Sequence, residues 1–412
     1  MSPRLRTFRS RGRLNIASGI ACLVIFTIIN ALASLESALN LRPDKQTEKE
    51  PRYLHRSEFR TNPDFEYEQR ISDALRDIEK HERALHGGDK SWDIIWQMLL
   101  KDAPTPENRG PYSLQMEEQN PEWSYKLITG ELAEELVTIT FSSVPGLASL
   151  YHSYPHFVQR SDLLRYLVLW YFGGYYADMD VIPARKIKDC PATKELVFND
   201  SADVSLVLGI EIDEPFATPE EMHFWHWARP YGFLQYTIYA PRRFSPLLRE
   251  VIVRVISHTK RHLDESNFFI GPRYNELTTL EITGPGMFTD AILDVLTVSL
   301  PASHPLITRS VEADAALGEL GPRVSEAPSQ RVTWAPFHRL QETLCVNGSE
   351  AKEGKEFGGL CVLPINAWAN GQRHSNAEGM NSPHACVNHR FGGTWKPWKH
   401  SWKSKLFNSI FS

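Results

Sequence analysis

The chain has 412 residues, 42% of them hydrophobic, and a formal net charge of −5. That is enough apolar material for a sizeable core, in one large α/β unit or in two to three domains. Five arginines and no acids stand in the first 13 positions, so the remainder carries 40 basic against 50 acidic residues, a balance that argues against nucleic acid as a partner.

Residues 1–13 read as a short basic tail. Leu14 to Leu35 follows as 22 residues without a charge, long enough to span a bilayer. With Arg4, Arg6, Arg9, Arg11 and Arg13 before it, the positive-inside rule puts the N-terminus in the cytosol and the bulk of the chain in a lumen. Its length favours a retained signal anchor over a cleaved signal peptide ending at Ala31-Leu32-Ala33. Residues 36–90 read as a stem: first polar and proline-punctuated, then an amphipathic helix over Asp64 to Leu85. Ile71, Leu75, Ile78 and Leu85 form its apolar stripe. Such a helix either packs on the domain or pairs chains as a short coiled stem.

Ser91 to Gln97 reads as the first strand of a catalytic domain over 91–400. Ala103 to Gly110 is a proline-broken loop. Asn120 to Leu127 is a turn then a strand, and Gly130 to Val137 a helix. Strands alternating with helices imply an α/β, mainly parallel sheet with ligands at the carboxyl ends of its strands.

Gln159 to Pro183, QRSDLLRYLVLWYFGGYYADMDVIP, dominates the chain. Ser161 is the expected N-cap of a helix that is apolar nearly all round from Leu163 to Phe172, and so buried. Arg165 interrupts it, three residues after Asp162 and on the same face. Gly173 and Gly174 end the helix, and Tyr175 to Ile182 reads as a strand closed by Pro183. On a strand, Asp178 and Asp180 point to one side. Two carboxylates at a buried strand end are costly unless paired, and a hard divalent cation taking oxygen ligands resolves the cost.

Val204 to Ile212 is a further buried strand, followed by Asp213 and Glu214 as a solvated turn. Met222 to Tyr239 is dense in aromatics, which are core or, in a sugar enzyme, platforms for pyranose faces. Leu247 to His258 is a helix. The turn Thr283-Gly284-Pro285-Gly286 opens the next helix, Phe288 to Leu296, and its backbone N–H groups are a candidate phosphate cradle. Residues 309–331 read as a surface loop and Gly359 to Ile365 as a short strand. His384 to Lys403 carries His389, Gly392, Gly393, Trp395 and Trp398, the pattern of a mobile flap.

Cys22 falls in the anchor. Cys190, Cys345, Cys361 and Cys386 are an even number and allow two disulfides in three connectivities. Asn199 and Asn347 head glycosylation sequons.

An apolar helix with an Asp/Arg pair, a glycine pair, two tyrosines and then Asp-x-Asp resembles the signature of glycosyltransferase family 32, the DXD sugar transferases. Further blocks are similar to this family: IIWQ at 94–97, NPEWSYKLITGE at 120–131, WARPYGFLQYTIYA at 227–240, TGPGMFTDAILDVL at 283–296, VLPINAW at 362–368 and HACVNHRFGGTWK at 384–396. The last four resemble the branch of fungal initiation-specific α-1,6-mannosyltransferases. The resemblance implies a GT-A fold in a Golgi membrane, GDP-mannose as donor, Mn²⁺, an N-glycan mannose as acceptor and retention of configuration. Carried over by position, Asp178 and Asp180 are the catalytic pair that meets metal and nucleotide; His389 belongs with Trp395 to a closing C-terminal segment and is a candidate to complete the metal shell or bind phosphate. Asp162, Arg165, Gly174, Tyr176, Gly284 and Trp395 line the donor. Arg243-Phe244-Ser245-Pro246 and Asn388 depart from the branch's usual residues. They leave the donor site intact and leave room for a paralogue acting on cell-wall mannan or a sphingolipid; the stem helix alone favours the other alternative, a non-catalytic subunit of a mannosyltransferase complex.

Overall fold

The computed structural model describes residues 57–89, 91–194, 203–266, 271–317 and 330–390. The expected anchor, Asn199, Trp395 and the two glycines at 392 and 393 lie outside the described residues. Among the described residues no helix is long and apolar enough to cross a membrane.

The chain begins its described course with helix α1, Phe65–His86, capped by Asp64, whose carboxylate accepts the Tyr67 N–H at 3.0 Å. Ile71 and Leu75 are fully buried in the main core, while Leu85, at the far end of the expected stripe, is exposed. Glu79 pairs with Arg249 at 3.1 Å and Glu82 with Arg243 at 3.2 Å. The helix ascribed to a stem is thus part of the catalytic unit. Ile71 and Leu75 of its apolar stripe pack against that unit.

Ten strands are seen among the described residues: β1 Ile94–Leu99, β2 Ser124–Thr129, β3 Gly174–Ala177, β4 Val181–Pro183, β5 Leu206–Asp213, β6 Tyr231–Phe233, β7 Thr237–Ala240, β8 Leu344–Val346, β9 Leu360–Leu363 and β10 Val387–His389. The large sheet runs β2-β1-β3-β7-β5-β9-β8, with β6 added on β5. It is mixed. The β1–β2, β1–β3 and β5–β9 pairs are parallel; β7 lies antiparallel to both β3 and β5, and so turns them the same way. The carboxyl ends of β1, β2, β3, β5 and β9 therefore share one edge. β4 and β10 form a separate antiparallel pair.

Helix α2, Pro106–Gln119, replaces the expected loop. Thr105 caps it, and it bends at Gly110, where φ is 76°, so the prolines and glycine that suggested a loop mark its first turn and its kink instead. Helix α3 is Phe157–Phe172; α4 is Pro219–Trp225; α5 is Pro246–Asp264; α6 is Glu276–Ile282; α7 is Pro285–Ser299; α8 is Pro305–Leu317 and occupies part of the expected 309–331 loop. α5 packs against α1, α3 and α7 on one face of the sheet, over a core that includes Trp170, Leu208, Ile252 and Phe288. The other face carries a smaller cluster of Trp123, Tyr175, Tyr236 and Trp368. The connectivity left open by sequence is Cys190–Cys386 and Cys345–Cys361. The first ties β10 to the segment after β4 across 196 residues.

Candidate active site

α3 starts at Phe157, earlier than expected. His156 is its N-cap, with its N–H donated to the Gln159 side chain at 3.3 Å. Ser161 and Asp162 are therefore inside the helix and not at its start. Asp162 and Arg165 keep their helical spacing and pair at 3.0 Å, each with about 6% of its side chain exposed. Asp162 also accepts the Thr283 hydroxyl at 2.7 Å, and Arg165 donates to the Gln235 carbonyl at 2.9 Å. Burial pushes the Asp162 carboxyl up to about 6, against the lowering pull of Arg165 and Thr283.

The chain then leaves the helix through the two glycines. Gly173 has φ 69° and ψ −159°, a region open to glycine alone. Gly174 has φ 96°, and a Cβ there would stand 2.6 Å from the Ile94 carbonyl oxygen. The glycine pair thus lets β3 slot in beside β1, where the Trp96 indole donates to the Gly173 carbonyl at 2.9 Å.

β3 stops at Ala177, so Asp178-Met179-Asp180 is a turn, not the run of strand expected through Ile182. The last rung of the β3–β7 ladder is the Asp178 N–H on the Tyr236 carbonyl, at 2.8 Å; then the Val181 N–H closes back on the Asp178 carbonyl at 3.1 Å. The two carboxylates still converge. Ligand atoms of Asp178, Asp180 and His389 all lie within 4.8 Å of one another. His389 Nε2 is 3.1 Å from Asp180, and its ring stacks on Tyr236 at 4.0 Å. His389 lies in β10, paired with Val181 of β4, so it is held by a strand and a disulfide and not by a flap.

Exposure grades outward across the site. Arg165 reaches Asp178 at 3.5 Å; the Arg165 side chain is 6% exposed, Asp178 30% and Asp180 38%. Tyr176 donates its hydroxyl to Asp178, and the Arg165 guanidinium lies over the Tyr176 ring at 5.0 Å. Asp162 and Arg165 face Asp178 from within; they fix it as much as they face any ligand. The Gly284 N–H is taken by the Thr279 carbonyl at 3.0 Å, so the turn's link to the site runs through the Thr283 hydroxyl. Two carboxylates and an imidazole at the carboxyl edge of the sheet suit a divalent cation that takes oxygen and nitrogen ligands. A cavity of about 260 Å³ lined by Asp203, Ser205, Arg242 and Gly358 sits at the amino ends of β5 and β9, the opposite edge, and takes no part in this site.

Asp213 and Glu214, expected in a solvated turn, are built in. Asp213 is buried and accepts from His338 Nδ1 at 2.6 Å and from the Arg339 N–H at 2.7 Å, and Glu214 accepts the Ser375 N–H at 2.6 Å. Their partners stand more than 120 positions away, which no local pattern announces.

Residues 106–197 match the family described as a glycosyltransferase sugar-binding region containing the DXD motif. The chain is 23% identical over 304 residues to the initiation-specific α-1,6-mannosyltransferase of Candida albicans, covering 73% of this chain and 70% of that one. It is 28% identical over 305 residues to the enzyme of the same name from Schizosaccharomyces pombe, covering 74% and 63%. A 62-residue stretch is 36% identical to inositol phosphoceramide mannosyltransferase 3 of Schizosaccharomyces pombe, 15% of this chain and 17% of that one. Residues 106–197 thus carry a DXD-containing sugar-binding region on a mixed α/β sheet, with the Asp-x-Asp turn at the sheet's carboxyl edge, and the chain is a glycosyltransferase.

Proposed function

We propose that this enzyme transfers mannose from GDP-mannose to a mannose of an N-glycan, in α-1,6 linkage and with retention, using Mn²⁺. In this reading it works in the Golgi lumen, anchored as a type II protein by Leu14 to Leu35, with Asn347 and Asn199 open to glycosylation. The Asn347 side chain is on the surface. The observation that carries the reading is the meeting of Asp178, Asp180 and His389 beside the buried Asp162–Arg165 pair. The names of the two relatives that span about 70% of the chain support mannose and the linkage.

Asp180 and His389 would hold the cation, with Asp178 completing the set or meeting the nucleotide. When bound, Mn²⁺ supplies Lewis-acid stabilisation of the departing diphosphate. The chain's own part is to fix that geometry. Arg165 and Tyr176 orient Asp178, and the Thr283 hydroxyl holds Asp162; Gly174, expected to line the donor, opens β3 at the far end from Asp178 and packs on Ile94 and Trp96 instead. A donor panel with Mn²⁺ and a high-mannose glycan tests the proposal. Transfer from GDP-mannose, lost on Asp180→Ala, is the expected result; transfer from another donor only, or activity that survives Asp180→Ala, rejects it. The short stretch shared with the inositol phosphoceramide enzyme favours one second reading, a sphingolipid acceptor, which the same panel checks by including that lipid.

A further inference from the structure

β5 carries a bulge between Ile210 and Ile212, at the carboxyl edge that also bears Asp178. Bulges there re-aim a side chain. The residue so turned is Glu211, half-buried, whose carbonyl accepts the Gln372 side chain at 2.7 Å. Glu211 stands two residues after Gly209, whose carbonyl accepts the Leu234 N–H at 3.1 Å; Leu234 lies two residues before Tyr236, the ring that stacks on His389.

The segment that holds Glu211 leads to an aromatic cluster. Ser375 and Asn376 have φ of 60° and 54°, left-handed values rare without glycine. Glu214 and Asp213 hold that bend: Glu214 accepts the Ser375 N–H at 2.6 Å, and the Ser375 hydroxyl accepts the Asp213 N–H at 2.9 Å. The bend sets His374 edge-on against Trp225 at 5.1 Å and Trp227 at 4.8 Å. The two indoles lie nearly parallel, 11° apart with centroids at 5.8 Å, and both are half-buried. The next ring, Phe224, is 63% exposed. Strained backbone persists where the surroundings over-determine it, and it clusters at ligand sites. Here the strained bend sets His374 against both indoles, which lie on the segment that follows the carboxyl end of β5.

We infer that Trp225 and Trp227, backed by His374, are the platform on which an acceptor oligosaccharide lies, with Glu211 accepting a hydroxyl of the sugar nearest the Asp-x-Asp turn. Pyranose rings present an apolar face of C–H groups that suits indole and a rim of hydroxyls that suits a carboxylate. The assignment rests on the glycosyltransferase reading and adds the acceptor's location to it. Glu211 is a substrate-binding carboxylate in this account.

The test is a direct titration that needs no turnover. Oligomannoside is added to the full chain with Mn²⁺ and GDP, and binding is followed by indole fluorescence and calorimetry. The same is done for Trp225→Ala, Trp227→Ala, Trp227→Phe and Glu211→Gln, with GDP-mannose hydrolysis to water as a separate readout. Each Trp→Ala variant is expected to weaken oligomannoside binding ~10-fold or more, about 1.4 kcal/mol or above. Trp227→Phe should keep most of the affinity. Equal oligomannoside affinity in wild type and both Trp→Ala variants overturns the assignment, as does a wild type that binds no oligomannoside. Absent hydrolysis of GDP-mannose in the wild type sinks the donor reading instead, and leaves the titration to decide the platform.

Discussion

His389 Nε2 stands 3.1 Å from an Asp180 carboxylate oxygen, across 209 positions of sequence. The contact exists because β10 pairs with β4 directly after the Asp-x-Asp turn, and because Cys386 is tied to Cys190. A side chain far along the chain is thereby made a neighbour of the motif that names the family.

Asp180→Asn is expected to lower kcat/KM roughly 1,000-fold, because several kcal/mol of charge stabilisation are at stake and each 1.36 kcal/mol is tenfold. His389→Ala should leave the fold intact and raise the Mn²⁺ concentration for half-maximal rate ~10-fold or more. A Mn²⁺ titration of both variants at saturating donor checks this; an unchanged Mn²⁺ requirement in His389→Ala removes His389 from the ligand set.

The rate should fall on the acid side near pH 6. Burial raises the Asp162 carboxyl to about 6. Below that pH it is protonated, and Arg165 loses one of the two carboxylates that hold it. Stability runs the other way. A folded-state value above the ordinary 3.8 means this group's contribution is full below about 3.8 and is lost as pH rises through about 6. Acidification from pH 7 to 5 should therefore cut activity without unfolding through Asp162. Asp162→Asn should flatten the acid limb of the pH–rate profile; an unshifted limb assigns it to another group.

Gly174→Ala should destabilise by more than about 1 kcal/mol, since alanine at positive φ is strained. The added Cβ would also meet the Ile94 carbonyl at 2.6 Å and Trp96 Nε1 at 3.1 Å. Because β3 leads straight into Asp178, activity should fall further than stability. Denaturant unfolding and a donor-hydrolysis assay, run side by side, separate the two effects.

Cys386→Ser should cost ~2–5 kcal/mol, the usual range for losing a native disulfide, with the upper end favoured by a long loop. The 196-residue separation makes this the long one; Cys345–Cys361 spans 16. The same variant should weaken Mn²⁺ dependence because β10 carries His389. Cys345→Ser should lower stability less and leave the Mn²⁺ titration unchanged.

The strands β1, β2 and β5 and the buried helix before the glycine pair were legible in the residues; that the Asp-x-Asp triplet forms a turn and not a strand was not. Apolar periodicity, glycine's access to positive φ and the cost of clustered carboxylates are local properties, written into adjacent positions. The loop at 103–110 was misread because Pro106 and Gly110 suit a helix's first turn and kink as well as a loop. The amphipathic stripe of α1 was visible but not its partner, because a stripe shows only that something covers it.

Sequence alone determined that Asp162 and Arg165 share one face of a buried helix, since helical spacing fixes their distance, and that a glycine pair ends that helix ahead of a strand leading to Asp178. Tertiary structure alone decided that β3 ends at Ala177, that Cys190 meets Cys386, that Asp213 is buried and that His389 completes the cluster. Each of these depends on which distant segment fills a place at the sheet's carboxyl edge, and that is settled by packing and ladder hydrogen bonds between residues far apart in the chain.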